Sequence, residues 1–130
     1  MPASPEWYEL RALVAAKQFG EAAMRIECNA SLCSAVNGLG ETVLHYLAVE
    51  NDEEGVAWLW SKGFDINIRN EFGTPVVFEV AQLDYRDLLQ WFISSGADVK
   101  CQDSDGRSIK EYVLLFGHEK IARHLESLGI

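Results

Sequence analysis

The chain has 130 residues, 48% hydrophobic and 24% charged, which is typical of one globular domain and excludes a disordered chain. The 11 basic and 20 acidic side chains give a formal net charge of −9, which disfavours nucleic acid and anionic membranes as partners and favours a basic protein. Solubility alone is the alternative reason for this charge. Because no apolar run is long enough to span a bilayer and the N-terminus does not resemble a secretory signal, we expect a cytoplasmic protein.

The predicted elements follow a repeat of 33 residues. Two glycine series have this spacing: Gly40, Gly73 and Gly106, and Gly63, Gly96 and Gly129. Repeats of this length are typical of solenoids, in which each unit is one supersecondary element that packs on its neighbours. The sequence therefore predicts one domain built from similar units.

The first two units each contain two predicted helices. In the first unit they lie at 13–18, placed by stepping back one repeat from the second unit, and at 21–28. In the second unit Thr42 is a candidate N-cap, and apolar residues then recur at helical spacing. A break at 51–52 precedes a second helix that ends at Gly63, since glycine readily takes the left-handed conformation of a helix stop.

The last two units repeat this plan. The third has predicted helices at 76–83 and 88–94, and the fourth at 108–116 and 119–128. Aromatic and aliphatic residues at helical spacing most simply form the shared core. The residues assigned to that core are Trp58, Leu59, Trp60, Leu88, Leu89, Phe92 and Ile93.

Two sequence motifs resemble those of ankyrin repeats. The segment 40–45, Gly-Glu-Thr-Val-Leu-His, resembles the G-x-T-P-L-H signature, and the segments 63–67 and 96–99 resemble the G-A-D-V-N that ends each unit. The resemblance implies an all-α ankyrin-repeat solenoid of about four helix-turn-helix units with short loop or hairpin tips. It divides a single domain, 1–130, into an N-terminal capping repeat at 5–36, repeats at 37–69 and 70–102, and a C-terminal capping repeat at 103–130.

The resemblance also implies that a concave face binds a partner protein. Family members usually contact ligands at the loop tips and at the ends of the first helices. Here those positions are Leu39, Glu41, Val49, Glu50, Glu71, Phe72, Thr74, Gln82, Leu83, Asp105, Arg107, Leu115 and Phe116.

Several of these partner-contact positions are apolar where solvent is expected. They predict an exposed strip with Phe72 as the first candidate anchor, bordered by acidic residues. The alternative is that some of these side chains fold back onto the scaffold. The residues of the predicted strip are Leu39, Val49, Phe72, Leu83 and Phe116.

The sequence indicates neither an enzyme nor a cofactor or metal site. His45 falls on the histidine of the ankyrin signature, where the resemblance implies a structural role between adjacent turns. His118 and His124 are six residues apart, which is not metal-ligand spacing on a helix. Asn67 lies in a spacing that is hydroxylated in some ankyrin proteins, but much of the family has that pattern.

The predicted function is a non-catalytic, monomeric protein-interaction module. One alternative is a stand-alone inhibitor of the immunity type that neutralises a basic toxin or enzyme. Another, of a different class, is an assembly protein in which the concave face pairs with a second copy of the chain.

Overall fold

The computed structural model describes residues 4–130, and this part of the chain is helical, without strands. Successive helices form four pairs joined by short turns, and one 3₁₀ turn, Ala30–Cys33, follows the first pair. This confirms the predicted all-α class and helix-turn-helix plan. The helices are α1 (Pro5–Ala15), α2 (Phe19–Cys28), α3 (Val43–Val49), α4 (Glu53–Ser61), α5 (Val76–Gln82), α6 (Arg86–Ser94), α7 (Ile109–Leu115) and α8 (Glu119–Ser127).

The first helices of the pairs form the continuous layer of the solenoid. Each first helix packs on the second helix of its own pair, and α1, α3, α5 and α7 also pack on one another in sequence. Polar side chains fix where several helices begin. Thr42 accepts a hydrogen bond from the His45 backbone N–H at α3, Asp52 accepts one from Gly55 at α4, and Ser108 forms a capping box with α7. Thr42 is therefore the N-cap that the sequence predicts.

The helix predicted at 13–18 has the wrong bounds, because α1 begins at Pro5 and ends at Ala15. Proline is well suited to the first turn of a helix, where its missing N–H would have no intrahelical partner. Trp7, Leu10 and Val14 then form the buried stripe. The helix ends because Lys17 adopts a φ of 63°, in the left-handed region.

Two of the predicted core aromatics lie closer to solvent than expected. Trp60 is 44% exposed and Trp58 is only half-buried, whereas Leu59 between them is completely buried. Successive residues point about 100° apart around a helix axis, and α4 buries the side that carries Gly55, Val56 and Leu59. Trp60 instead packs edge-to-face on Trp91 of the next repeat, with ring centroids 5.7 Å apart. Ile93 is also half-buried; Leu88, Leu89 and Phe92 are core residues as predicted.

Gly40 combines a left-handed backbone with a close approach to the next repeat. Its φ is +74°, and a Cβ added there would lie 2.6 Å from the backbone nitrogen of Glu71. That same nitrogen donates a hydrogen bond to the carbonyl oxygen of Leu39 at 2.9 Å. A side chain at position 40 would therefore strain its own backbone and push two adjacent tips apart.

We expect Gly40→Ala to lower the free energy of unfolding by about 2 kcal/mol, because the left-handed conformation and the backbone clash both penalise alanine. The matched control is Gly106→Ala. Gly106 has a φ of +78° but open space around its Cβ position, so only the backbone term of about 1 kcal/mol applies. Urea unfolding measures both variants. Equal losses would show that the inter-repeat approach at Gly40 contributes nothing.

Candidate functional site

The loops that precede α3, α5 and α7 form the tips of the repeats. One side chain at the start of each tip fixes the conformation of its backbone. The Oδ1 atoms of Asn37, Asn70 and Asp103 each accept hydrogen bonds from the backbone N–H groups two and four residues later. In the central tip the N–H of Phe72 lies 2.9 Å from Asn70 Oδ1, and that of Thr74 lies 3.1 Å from it. Asn and Asp favour such turns because their short side chains reach the nearby backbone. These three residues are a further 33-residue series that was visible in the sequence and was not used in the prediction.

The tip conformation exposes the residue two positions after the Asn or Asp. Phe72 is 66% exposed and Leu39 is 52% exposed, and Asp105 occupies the equivalent position in the last unit. Because Glu71 donates its N–H to the carbonyl oxygen of Leu39, the first two tips are held side by side. Phe72 and Leu39 therefore lie on neighbouring tips of one edge.

Asp103 and Arg107 form an ion pair at the base of the last tip. Arg107 Nε donates to Asp103 Oδ2 at 2.9 Å, and Nη2 donates to Asp105 at 3.0 Å. Burial raises the pKa of the Asp103 carboxyl, but hydrogen bonds from the backbone and side chain of Arg107 outweigh it and hold the pKa below its ordinary value. The hydrogen bond to Asp103 raises the pKa of the Arg107 guanidinium. Arg107, predicted as a partner contact, thus already forms ion pairs with the carboxylates of Asp103 and Asp105 in its own tip.

The thirteen predicted contact residues differ in their exposure. Glu41 is only 7% exposed, so the prediction that it faces outward is wrong. Its side chain is held inward because Asn37 Nδ2 donates to Glu41 Oε1 at 3.0 Å. Val49, Thr74, Gln82 and Arg107 are half-buried. The remaining eight are exposed: Leu39, Glu50, Glu71, Phe72, Leu83, Asp105, Leu115 and Phe116.

Among the predicted contact residues, the exposed apolar ones form two groups instead of one strip. The tip group is Leu39 and Phe72. The helix-end group is Leu83 at the end of α5 with Leu115 and Phe116 at the end of α7, exposed by 36%, 60% and 49%. A first helix of seven residues, roughly 10 Å long, separates the two groups. Phe116 partly folds back onto Tyr112, with ring centroids 5.2 Å apart.

The repeat architecture and these tips agree with the comparison to known families. The family model for the ankyrin repeat matches residues 39–71, which hold the tip before α3, the α3–α4 pair and the approach to the next tip. This chain therefore contains an ankyrin repeat at residues 39–71. Ankyrin repeats generally bind protein partners and are generally non-catalytic interaction modules. No curated protein matches the sequence.

The ankyrin-signature histidine, His45, joins two repeats. Its side chain is completely buried, and its Nε2 lies 3.0 Å from Oε1 of Glu79 on the next first helix. Since a carboxylate accepts, Nε2 is the donor. Asn70 Nδ2 donates to the same Glu79 oxygen at 2.8 Å. The structural role implied for His45 therefore takes the form of a bond to a carboxylate of the neighbouring repeat.

In the part of the chain that the structure describes, one group of side chains has the atoms to hold a metal. The ligand atoms of Glu41, His45 and Glu79 all lie within 4.8 Å of one another. A metal-bound histidine almost always donates its other ring N–H to an acceptor, but Nδ1 of His45 is buried with no hydrogen-bond partner. The group therefore fits a hydrogen-bonded link between repeats better than a metal centre.

Between residues 4 and 130, no helix has the length and apolar character that a bilayer crossing requires.

Proposed function

We propose that this ankyrin-repeat protein is a non-catalytic module that binds a partner protein through its tips and the ends of its first helices. The single observation that carries the proposal is the exposure of large apolar side chains at those positions, above all Phe72 at 66%. Exposed aromatic side chains that are held in place by a rigid scaffold are the usual anchors of protein interfaces. The tip holds the Phe72 backbone through Asn70, so little ordering remains to be done on binding.

Charge supports a partner that is basic overall. Glu71 next to Phe72 and Glu50 at the end of α3 are exposed, and neither forms an ion pair with any residue of 4–130. With a net charge of −9, the protein attracts a basic partner and accelerates its arrival. Free acidic side chains beside apolar anchors suit the polar rim of such an interface.

The test is affinity purification from the native source with the wild-type protein and with Phe72→Ala. We expect Phe72→Ala to weaken binding of the retained partner by about tenfold or more, as truncation of an interface anchor does. Leu83→Ala tests the helix-end group in the same way. Calorimetry with the identified partner gives both affinities.

The matched control is Met24→Ala. Met24 is 63% exposed but lies on α2, a second helix outside the proposed face. It should leave partner binding unchanged. Loss of binding in Met24→Ala but not in Phe72→Ala or Leu83→Ala would place the interface elsewhere and overturn the proposal.

Two narrower functions share this binding face. An immunity-type inhibitor of a basic toxin or enzyme is favoured by the net charge of −9, and inhibition of the identified partner's activity tests it. Pairing with a second copy is disfavoured by the repulsion between two such chains, and light scattering over a concentration series separates it from a monomeric binder.

We propose a cytoplasmic location because all three cysteines are free: Cys28, Cys33 and Cys101.

A further inference from the structure

A cavity of about 560 Å³ lies between the first two repeats, on the side of the first helices. Ala12, Ala15 and Leu47 give it apolar walls, and Arg11 and Lys17 are the basic side chains that line it. Lys17 is already paired with Asp52. Arg11 is therefore the basic side chain at this cavity that has no acidic partner among residues 4–130.

Two aromatic rings hold the Arg11 guanidinium in place. Its central carbon lies 5.6 Å from the ring centroid of Tyr8 and 5.3 Å from that of Tyr46. Arg11 Nη1 lies 3.4 Å from the Tyr46 hydroxyl. This is the one hydrogen bond that the Arg11 side chain makes to residues 4–130. Stacking on aromatic rings restricts a long, flexible side chain, so the guanidinium is oriented before any ligand arrives.

No carboxylate of residues 4–130 forms an ion pair with Arg11, although the chain carries 20 acidic side chains. Its Nε is buried and has no hydrogen-bond acceptor. Arg107 provides an internal comparison: it also lies over a tyrosine ring, at 6.0 Å from Tyr112, but it donates to Asp103 and Asp105. Arg11 has the aromatic support without the carboxylate.

We propose that Arg11 and this cavity bind an acidic side chain, a glutamate, of the partner protein. This inference rests on the proposed function and names one group that the partner supplies. The apolar walls of Ala12, Ala15 and Leu47 suit the methylene groups of a glutamate, and the guanidinium fork suits its carboxylate. Glu50 at the cavity repels a dianion more than a single carboxylate, so a phosphate group is disfavoured.

A partner that is basic overall accordingly carries an acidic residue at this point of the interface. The ion pair between Arg11 and this acidic residue fixes the position of the partner along the solenoid, since opposite charges favour only one register.

The test is a titration of the purified protein with the methylamide of N-acetylglutamate, followed by NMR of the Arg11 side-chain N–H and of Leu47. We expect a saturable shift that the methylamide of N-acetylglutamine does not produce. Arg11→Gln should weaken the binding that shifts Leu47 by roughly tenfold to a hundredfold. Tyr46→Phe, which removes only the hydroxyl contact, should weaken it less. Thermal unfolding checks that both variants are folded.

The matched control is Arg123→Gln, because Arg123 is an exposed cation on α8, outside this cavity. It should leave the shift unchanged. Absence of a saturable shift in the wild type, an equal response to the glutamine probe, or a stronger response to inorganic phosphate would each overturn the inference. Failure here leaves the proposed function standing if Phe72→Ala still loses the partner, so the two failures are distinguishable.

Discussion

Replacing Phe78 by alanine is expected to lower the free energy of unfolding by about 3 to 5 kcal/mol, the range for aromatic truncations in protein cores. Phe78 is completely buried in α5, and its ring centroid lies 5.6 Å from that of Tyr112 in α7. Truncation leaves a cavity at the interface of two repeats, which cannot close without moving α5 relative to α7. Because neighbouring repeats stabilise one another, the last repeat should also lose part of its coupling to the others.

Urea unfolding followed by circular dichroism measures this loss. The matched control is Phe72→Ala, the same chemical change at a side chain that is 66% exposed, and it should change stability by no more than about 0.5 kcal/mol. If Phe78→Ala cost no more stability than Phe72→Ala, α5 would not pack on α7 through Phe78. The pair also separates stability from binding, because only Phe72 lies on the proposed face.

Replacing His45 by alanine is expected to cost about 3 kcal/mol, from a lost hydrogen bond to a charged group and from the cavity left by a buried ring. The imidazole has no exposed surface, and its Nε2 donates to Glu79 at 3.0 Å. Glu79 keeps its hydrogen bond from Asn70, which limits the cost of leaving the carboxylate behind.

Glu79→Gln is the matched control for His45→Ala. The glutamine carbonyl still accepts a hydrogen bond from His45 Nε2, so the cost should stay near or below about 1 kcal/mol. Differential scanning calorimetry with and without a chelator adds a second readout. A chelator that lowered the wild-type melting temperature would contradict the hydrogen-bonded link and favour a metal between Glu41, His45 and Glu79.

These two interfaces show how one repeat position is used in different ways. Phe78 lies 33 residues after His45, and Tyr112 lies 33 residues after Glu79. The second and third repeats are therefore joined by an imidazole and a carboxylate, and the third and fourth by two aromatic rings. Phe78 occupies the position that His45 holds in the preceding repeat. It packs on the ring of Tyr112, whereas His45 donates a hydrogen bond to the carboxylate of Glu79.

The repeat, the helix pairs, the N-cap of α3 and the glycine helix stops could be predicted from the sequence. Helix periodicity, the N-cap at Thr42 and left-handed glycines such as Gly63 act within a few residues of each other, so they can be read from neighbouring positions. The resemblance to ankyrin repeats followed from the same local signals, since the signature lies in one tip and the start of one helix. The start of α1 at Pro5 was also local in origin, although the prediction placed it too late.

Which side chains are exposed could not be predicted from the sequence, because exposure also depends on how the repeats pack. Glu41 is turned inward by Asn37, Trp60 lies outside because Leu59 takes the buried side of α4, and Arg11 is held by rings from α1 and α3. Periodicity places a residue on a helix, but its exposure depends on what the neighbouring repeat puts against it. The contact between Asn37 and Glu41 is local, but Arg11 meets Tyr46, which is 35 positions away, and Trp60 meets Trp91 of the next repeat. The geometry of these longer-range contacts is set by how the repeats stack, which no local pattern contains.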